Sequence, residues 1–387
     1  MTSIVGWGHT RFGKHQETSV EELMREVGAE ALVHAGVEAA DVDGIWVGHF
    51  NAGMVSDGFP SSLALSIDPA LRFTPATRLE NACASGSAAV FAARNAIEAG
   101  QTRIALVIGV EKMTHLPTAE VAAALGHASY QAEESGYSFP QVFARFAQAY
   151  FQKYGDKTRV LAQIAAKNHQ NAMNNPLAQL RKPLTVEYCA TVSEKNPVVA
   201  APLKVTDCSL VSDGAAAIVM VSDEVARDMR RAARFRGMAQ VSDYLPMSRR
   251  DLTAFEGPRE AISRAKAAAG VDNADLHVAE VHDCFTIAEL MIYEAMGLAA
   301  PGRGEDVLQS GLVAPGGALP INLSGGLKAK GHPVGATGVS MHVMIARQVL
   351  GEAGEMQAKD ASLGLVFNMG GSGVANYCSI LEAERTR

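Results

Sequence analysis

The chain has 387 residues and a formal net charge of −7, with 48% hydrophobic and 19% charged residues. This length is sufficient for two or three packed units with a large core, and the composition is that of an ordinary globular protein. The acidic balance argues against nucleic acid as a partner. Because neither a bilayer-spanning apolar stretch nor a signal peptide is recognisable, we expect no membrane association and a cytoplasmic location.

The cysteines lack the spacing of a structural framework. Their number is odd, and none forms a Cys-x-x-Cys pair, which argues against both a set of disulfides and a zinc site. We therefore expect a reducing compartment and no bound metal. The five cysteines are Cys83, Cys189, Cys208, Cys284 and Cys378.

Apolar runs alternate with helical periodicity along most of the chain. This alternation predicts an α/β fold with helices on both faces of a sheet. Strands are predicted at 4–7, 44–48, 104–109, 215–221, 238–241, 277–282 and 362–367, and helices at 20–35, 88–99, 140–154, 159–174, 286–296 and 339–350.

The composition changes between residues 115 and 210, where Asn, Gln, aromatic residues and Pro accumulate and runs typical of buried strands are few. We interpret this stretch as an inserted loop domain. Residues 1–114 together with 211–230 are then expected to form an N-terminal half, and residues 231–387 a C-terminal half.

An internal repeat predicts that the two halves are duplicates. Cys83 precedes a helix that leads into a buried strand, and His332 does the same further along the chain. Cys83 and His332 are separated by 249 positions, as are Gly86 and Gly335. Chance similarity between two Gly- and Ala-rich helix starts is the alternative.

Cys83 lies within Asn81-Ala82-Cys83-Ala84-Ser85-Gly86-Ser87, at the start of a predicted helix. The free N–H groups and the dipole of a helix N-terminus are expected to lower the pKa of a thiol and to stabilise an oxyanion. These features favour a nucleophilic cysteine. The alternative is a small buried cysteine that fills space in a tight turn.

Two further loops carry reactive side chains. His332, between Gly331 and Pro333 in a glycine-rich loop, is suited to take a proton or to donate a hydrogen bond, although a single histidine is often structural. Residues 281–286 follow a predicted strand, whose carboxyl end usually faces a ligand crevice. There His282 is suited to polarise an oxygen and Cys284 to move a proton, while Asp283 is expected to cap the helix at 286–296.

The fourth loop, at 367–373, contains three glycines that allow a ligand to approach the backbone closely. The Gly370 N–H group is a candidate oxyanion donor, and a plain turn between strands is the alternative. The four loops contain, in chain order, the motifs Cys83-Ala84-Ser85, His282-Asp283-Cys284-Phe285, Gly331-His332-Pro333 and Met369-Gly370-Gly371.

Over essentially the whole chain, these motifs resemble the thiolase superfamily, and within it the sterol-carrier-protein-2 type of thiolase. The resemblance implies a thiolase fold: duplicated α/β halves in a five-layer α-β-α-β-α core with an inserted loop domain. It also implies an acyl-CoA acyltransferase of the acetyl-CoA acetyltransferase or 3-ketoacyl-CoA thiolase kind. Coenzyme A and acyl-CoA would be substrates, with no permanently bound cofactor.

The resemblance further assigns roles to the four loops. Cys83 would carry the acyl group, and His332 would activate it. His282 and His332 would form one oxyanion hole, and the N–H groups of Cys83 and Gly370 a second. The commoner thiolases have a cysteine where this chain has Asn368, so we assign the second proton transfer to Cys284.

The residues that bind CoA are less clearly marked. The inserted stretch 115–210 is the expected place, and a structural or solvated role is the alternative for each candidate. The family resemblance also implies a homodimer or tetramer and allows a small OB-fold partner protein. A same-fold acyltransferase or retro-aldolase with a partner subunit, and a non-catalytic acyl-CoA- or lipid-binding protein, are the competing functions. The candidate binding residues are Ser324, Gly325, Asn168, His169, Lys328, Arg145 and Lys330.

Overall fold

A computed structural model describes residues 1–384 of the chain. Nine strands form one sheet, and two short strands pair separately. The strands are Thr2–His9 (β1), Gly44–Gly48 (β2), Ala76–Leu79 (β3), Ile104–Glu111 (β4), Val198–Ala200 (β5), Leu203–Lys204 (β6), Gly214–Ser222 (β7), Ala233–Ser242 (β8), Val278–Val281 (β9), Leu363–Gly370 (β10) and Ala375–Ala383 (β11).

Helices connect and cover these strands, and within residues 1–384 no helix is long and apolar enough to cross a membrane. The helices are Val20–Ala35 (α1), Pro60–Leu63 (α2), Ser85–Glu98 (α3), Thr118–Gly126 (α4), Gln131–Glu134 (α5), Phe139–Tyr154 (α6), Thr158–Asn171 (α7), Val186–Ala190 (α8), Asp223–Ala226 (α9), Glu256–Ala269 (α10), Thr286–Ala295 (α11), Gly304–Gln309 (α12), Gly326–Lys330 (α13) and Val334–Val349 (α14).

The sheet contains the same arrangement twice. Its order is β3-β2-β4-β7-β1-β8-β11-β10-β9. In the first half β2 and β4 are parallel, and β7 runs antiparallel to both β4 and β1. In the second half β9 and β10 are parallel, and β11 runs antiparallel to both β10 and β8. The predicted duplication is therefore confirmed by strand order and direction.

The two central helices, α3 and α14, precede the equivalent strands β4 and β10. They pack against each other, and α14 contacts strands of both half-sheets, while α1 covers β1 and β7 and α10 covers β8 and β11. A Cβ atom on Gly86 would lie 2.7 Å from the Gly335 carbonyl oxygen, so glycine allows the helices to meet. The predicted layered α/β architecture is confirmed, and both reactive loops open onto its centre.

Several predicted bounds need correction. The helix predicted at 88–99 begins at Ser85, and the helix predicted at 339–350 begins at Val334. Both first turns consist of small residues buried between the central helices, so they show no apolar periodicity in the sequence. The strand predicted at 238–241 begins at Ala233, and its first residues alternate buried apolar side chains with the more exposed Arg234 and Arg236, so they form no continuous apolar run in the sequence. The helix predicted at 159–174 ends at Asn171 and continues as a 3₁₀ turn.

Residues 115–210 contribute no strand to the nine-stranded sheet. Their two longest helices, α6 and α7, pack against α11, and α7 also packs against α13. These contacts place the inserted segment over the loops that carry the reactive side chains. The division into units 1–114 with 211–230, 115–210 and 231–387 stays a prediction.

Candidate active site

Cys83 lies two residues before α3, on a turn that hydrogen bonds between neighbouring residues stabilise. Ala82 adopts a positive φ of 51°, and the Ser85 hydroxyl accepts a hydrogen bond from the Asn81 N–H group at 2.9 Å. The same hydroxyl donates to the Ala82 carbonyl oxygen at 2.7 Å. The Cys83 side chain is 4% exposed, so the turn presents its thiol to the interior of the molecule.

Three reactive side chains from three loops meet at this point. The Cys83 sulfur, a ring nitrogen of His282 and a ring nitrogen of His332 all lie within 4.8 Å of one another. The two imidazole rings are nearly perpendicular, at 84°, with centroids 5.2 Å apart. The structure therefore brings together the predicted nucleophile and the two predicted histidines, which are 199 to 249 residues from it in the sequence.

The expected lowering of the Cys83 pKa is wrong. Burial, with a smaller contribution from the carboxylate of Glu111, raises the pKa of the thiol to about 12. The backbone N–H groups of Cys83 and Gly371 oppose this change and lower the pKa, but they do not outweigh burial. At neutral pH Cys83 is therefore a neutral thiol, which distinguishes it from thiols activated by a helix dipole.

His332 stands at the start of α14 and is anchored on two sides. Its backbone N–H donates to the Ser212 hydroxyl at 3.0 Å, and its Nδ1 atom lies 2.7 Å from Oγ1 of Thr337. Its Nε2 atom is buried and has no hydrogen-bond partner among the described residues. Burial and the nearby charge of Lys330 lower the pKa of His332 to about 3, so the ring is neutral.

His282 follows β9 and is anchored by Asn368 of β10. The side-chain amide nitrogen of Asn368 lies 2.9 Å from Nδ1 of His282 and 3.2 Å from the Cys83 carbonyl oxygen. The Ser87 hydroxyl donates to the other end of the amide at 2.7 Å. Burial and the proximity of His332 hold the pKa of His282 well below its usual value, and its Nε2 atom has no partner within residues 1–384.

Cys284 is buried close to Cys83. Burial raises the pKa of Cys284 well above its usual value, and the neighbouring Cys83 raises it further. The prediction that Asp283 caps α11 is wrong. Among the described residues, no side-chain hydrogen bond caps the start of this helix. The Asp283 carboxylate instead accepts the backbone N–H of Leu327 at 2.6 Å and that of Lys328 at 3.2 Å, at the start of α13.

The glycine loop after β10 reaches the thiol with its backbone. Gly371 has a positive φ of 62°, and its N–H group, together with that of Cys83 itself, lowers the pKa of the Cys83 thiol. Gly370 packs against the Asn81 carbonyl oxygen so closely that a Cβ atom would lie 2.1 Å from it. The predicted loop therefore lies beside Cys83, and the specific role of the Gly370 N–H group stays a prediction.

Three of the four catalytic candidates, Cys83, Cys284 and His332, line one cavity of about 480 Å³, whereas His282 is not among its lining residues. Most of its wall is apolar, and it is formed by the inserted segment together with the reactive loops. Lys182 and Lys195 line the same cavity and are exposed, so they mark its opening to solvent. The cavity is large enough to hold part of a substrate and connects the thiol to the surface.

The predicted binding residues divide into two groups. His169 and Lys328 line the cavity, and both are buried, so the alternative of an exposed turn lysine is wrong for Lys328. Lys330 is also buried, with its Nζ atom 3.8 Å from Glu280.

The four remaining candidate binding residues do not line the cavity. Asn168 donates to the carboxylates of Asp283 and Glu289, and Ser324 donates to the carboxylate of Glu280. Gly325 packs on Ala172, and Arg145 is exposed beside Tyr137.

Two residues that contact the site were missed from the sequence. Glu111, at the end of β4, accepts the backbone N–H of Gly335 at 3.0 Å and pairs with His49 at 3.1 Å. Thr337 contacts His332 from five residues further along α14. A carboxylate that ends a fully apolar strand was the available signal for Glu111, and the position of Thr337 within the glycine-rich motif was the signal for Thr337.

Family models match both parts of the chain. The thiolase N-terminal domain matches residues 2–224, and the thiolase C-terminal domain-like model matches residues 237–383. The chain belongs to the thiolase family. The predicted activity class, a thiolase-type acyltransferase, is thereby confirmed, as is the resemblance on which it depended.

Relatives of known name agree with this assignment. The acetyl-CoA acetyltransferase of Methanothermobacter thermautotrophicus is 35% identical over 375 residues, which cover 96% of each chain. Sterol carrier protein 2 of Oryctolagus cuniculus is 30% identical over 96% of this chain and 70% of that protein. This thiolase therefore matches both proteins along nearly its whole length.

Solved structures show the same fold. The Ltp2–ChsH2(DUF35) aldolase is 25% identical to this thiolase, with a TM-score of 0.83. The match covers 100% of this chain and 98% of the chain in that structure. Human mitochondrial 3-ketoacyl-CoA thiolase in complex with CoA matches 99% of this chain and 98% of its own, with a TM-score of 0.75 and 17% identity. The second likeness shows the fold alone.

Proposed function

We propose that this thiolase transfers acyl groups between CoA thioesters by a ping-pong reaction through an acyl-Cys83 intermediate. The observation that carries the proposal is the meeting of the Cys83 sulfur with ring nitrogens of His282 and His332, all within 4.8 Å, at a cavity that Cys83 and His332 line. A thiol, a base and a hydrogen-bond donor at this spacing are the groups that acyl transfer requires.

The first half-reaction begins with a neutral thiol. A neutral His332 takes the proton of Cys83 as the sulfur attacks the 3-keto carbon of a 3-ketoacyl-CoA. The oxygen that becomes negative lies against the backbone N–H groups of the Cys83 turn and the glycine loop, with Gly370 as the proposed donor. Since the pKa of Cys83 is about 12, the thiolate forms only as the attack proceeds.

Cleavage of the bond between the α and β carbons leaves the acyl group on Cys83 and releases an enolate of the shorter thioester. We assign stabilisation of the enolate oxygen to His282 and protonation of its carbon to the neutral thiol of Cys284. When the CoA thiol then attacks acyl-Cys83, its proton passes to the Cys284 thiolate, and His332 returns its proton to Cys83. The reverse sequence condenses two acyl-CoA molecules.

CoA is proposed as a substrate that enters through the same cavity, with no permanently bound cofactor. The buried Lys328 ammonium is a hydrogen-bond donor on its wall, and His169 supplies an acceptor nearby. Nδ1 of His169 lies 3.0 Å from the Lys182 carbonyl oxygen, which can only accept, so the lone pair of the neutral ring is on Nε2. A donor beside an acceptor complements an amide of the pantetheine arm.

We propose a homodimer, or a dimer of dimers, as the assembled state. Among residues 1–384, β3 is an edge strand that pairs with β2 and with no other strand, and an uncovered edge is a site for pairing with a second copy. Phe59 and Phe73, on the segment that leads to β3, are 71% and 85% exposed. Light scattering of the purified chain measures the assembly.

The five free cysteines support a reducing, cytoplasmic location.

A retro-aldolase that works with a small partner subunit is the second candidate. It is favoured by the high TM-score against the Ltp2–ChsH2(DUF35) aldolase and by Asn368 at the position where the commoner thiolases have cysteine. An OB-fold protein is the partner that we propose for this case. A purely acyl-CoA- or lipid-binding protein is disfavoured, because Cys83, His282, Cys284 and His332 are all present and meet.

Turnover by the isolated chain separates these functions. The purified protein is incubated with acetoacetyl-CoA and CoA, and acetyl-CoA is quantified, with Cys83→Ala as the control. Thiolytic cleavage without any partner supports the proposal. Absence of cleavage, together with aldol cleavage when a partner subunit is added, supports the retro-aldolase instead.

A further inference from the structure

The two site histidines are held through the same ring atom, Nδ1, but by different partners. His332 is held by a hydroxyl and His282 by an amide. Both Nε2 atoms are buried and without a partner within residues 1–384, and both rings have a lowered pKa. Each ring therefore carries one proton, and its Nδ1 partner decides which nitrogen holds it.

The hydroxyl of Thr337 has a single proton. We place that proton in the hydrogen bond from Oγ1 to the Pro333 carbonyl oxygen, 3.0 Å away, because a carbonyl oxygen can only accept. Towards His332, at 2.7 Å, the hydroxyl oxygen can then only accept. The proton of His332 is consequently on Nδ1, and the lone pair on Nε2 is free to act as a base.

The amide of Asn368 has the opposite effect. The Cys83 carbonyl oxygen can only accept, so the amide atom 3.2 Å from it is the nitrogen, and the Ser87 hydroxyl donates to the oxygen at the other end. That nitrogen also faces Nδ1 of His282 at 2.9 Å and donates to it. The lone pair of His282 is therefore on Nδ1, and its proton is on Nε2, which makes His282 a donor.

We infer that Thr337 and Asn368 are positioning residues that fix opposite tautomers on two neighbouring histidines. His332 becomes a base for the Cys83 thiol, and His282 becomes a hydrogen-bond donor to the enolate oxygen of the released thioester. The assignment of these two tasks rests on the proposed function, whereas the tautomers themselves do not. Asn368 thus fixes the tautomer of His282 from the position where the commoner thiolases have a second cysteine.

The tautomers are measured directly by ¹⁵N NMR of the full-length protein labelled in histidine. We expect a bare Nδ1 and a protonated Nε2 for His282, and the reverse for His332. Asn368→Ala is expected to remove the preference at His282, and Asn368→Asp, which accepts rather than donates, to reverse it. Thr337→Val removes the acceptor at His332, and Thr337→Ser restores it. A wild-type His282 protonated on Nδ1 would overturn the inference.

Kinetics of the two half-reactions provide a second readout that a general structural defect would not reproduce. Asn368→Asp is expected to slow hydrogen exchange at the α carbon of acetyl-CoA about 10²- to 10³-fold, while acylation of Cys83 persists. Thr337→Val is expected to slow acylation, with recovery in Thr337→Ser. Equal losses in both half-reactions for either variant would contradict the division of roles.

The matched control is Ser379→Ala. Ser379 lies 3.0 Å from Nε2 of His342, a buried histidine that does not line the cavity. This variant removes a partner of a buried histidine without touching Cys83, His282 or His332. Both half-reactions are expected to keep their wild-type rates, and a loss as large as that of Asn368→Asp would assign the effect to packing. If acylation of Cys83 fails in the wild type, the proposed function falls, while the NMR result still decides the tautomers.

Discussion

The backbone N–H of Gly335 donates a hydrogen bond at 3.0 Å to the buried carboxylate of Glu111, which joins the end of β4 to the first turn of α14. The same carboxylate accepts the N–H groups of Phe50 and Asn51 at 2.9 and 3.0 Å and pairs with His49 at 3.1 Å. One side chain therefore connects the loop after β2, the strand β4 and the helix that follows His332.

Replacement of Glu111 by Gln is expected to have two opposite effects. The fold should lose about 3 kcal/mol of unfolding free energy, because the glutamine amide has one acceptor oxygen where the carboxylate has two, which leaves some of the buried N–H groups of Phe50, Asn51 and Gly335 unsatisfied. The Cys83 thiol should become more reactive, because Glu111 is a cause of its raised pKa. Chemical denaturation and alkylation rates measure the two effects, and a less reactive thiol would contradict this electrostatic role.

Alkylation of wild-type Cys83 is expected to depend steeply on pH. A thiol with a pKa of about 12 is protonated throughout the neutral range, so its thiolate fraction rises about tenfold per pH unit from pH 7 to pH 10. The rate of carboxamidomethylation of Cys83, followed by peptide mass, should rise accordingly. A plateau below pH 9 would indicate an activated thiolate and would contradict the neutral resting state.

Cys284→Ala is expected to separate acylation from carbon chemistry. Acylation of Cys83 should persist, because within the described part of the chain no side-chain hydrogen bond joins Cys284 to Cys83 or to either histidine. Exchange of α protons of acetyl-CoA with D₂O, measured by ¹H NMR, should fall at least about 100-fold with the loss of the acid/base group. Unchanged exchange would transfer that role to another side chain.

Lys328→Met tests the proposed CoA contact. The Lys328 side chain is buried on the cavity wall, and burial lowers the pKa of its ammonium group, so replacement by an apolar side chain of similar length is expected to raise the melting temperature. The kcat/KM for acetoacetyl-CoA should fall about tenfold to hundredfold, whereas the N-acetylcysteamine thioester, which lacks the distal pantetheine, should be unaffected. Lys195→Met, at the exposed opening, is the control. Unchanged kcat/KM for acetoacetyl-CoA would exclude the contact.

The sequence predicted the fold and the reactive loops because both depend on local patterns. The apolar runs identified strands such as β2 and β4, and the repeat that relates Cys83 to His332 reappears in the strand order of the two halves. These features follow from periodicity and from residues that are adjacent in the chain. The family motifs added the assignment of roles to Cys83, His282 and His332.

The electrostatic state of the site was not predictable in this way. The helix-dipole argument concerns residues close to Cys83 in sequence, whereas the raised pKa results from burial beneath segments far from it, including Glu111. Asn368 was recognised as a missing cysteine, yet its contact with His282 spans 86 residues. Lys328 looked equally well placed on a surface turn, because the insertion that buries it lies more than a hundred residues earlier in the chain.

The most direct test of the account is the identity of the acylated residue. The protein is mixed with acetoacetyl-CoA in the absence of free CoA, quenched in acid, and analysed by intact mass and peptide mapping. We expect one acetyl group, on Cys83, in the wild type and in the control Cys208→Ala, which alters another cysteine of the same cavity, and none in Cys83→Ala. An acetyl group on Cys208 or Cys284, or full turnover by Cys83→Ala, would contradict the account.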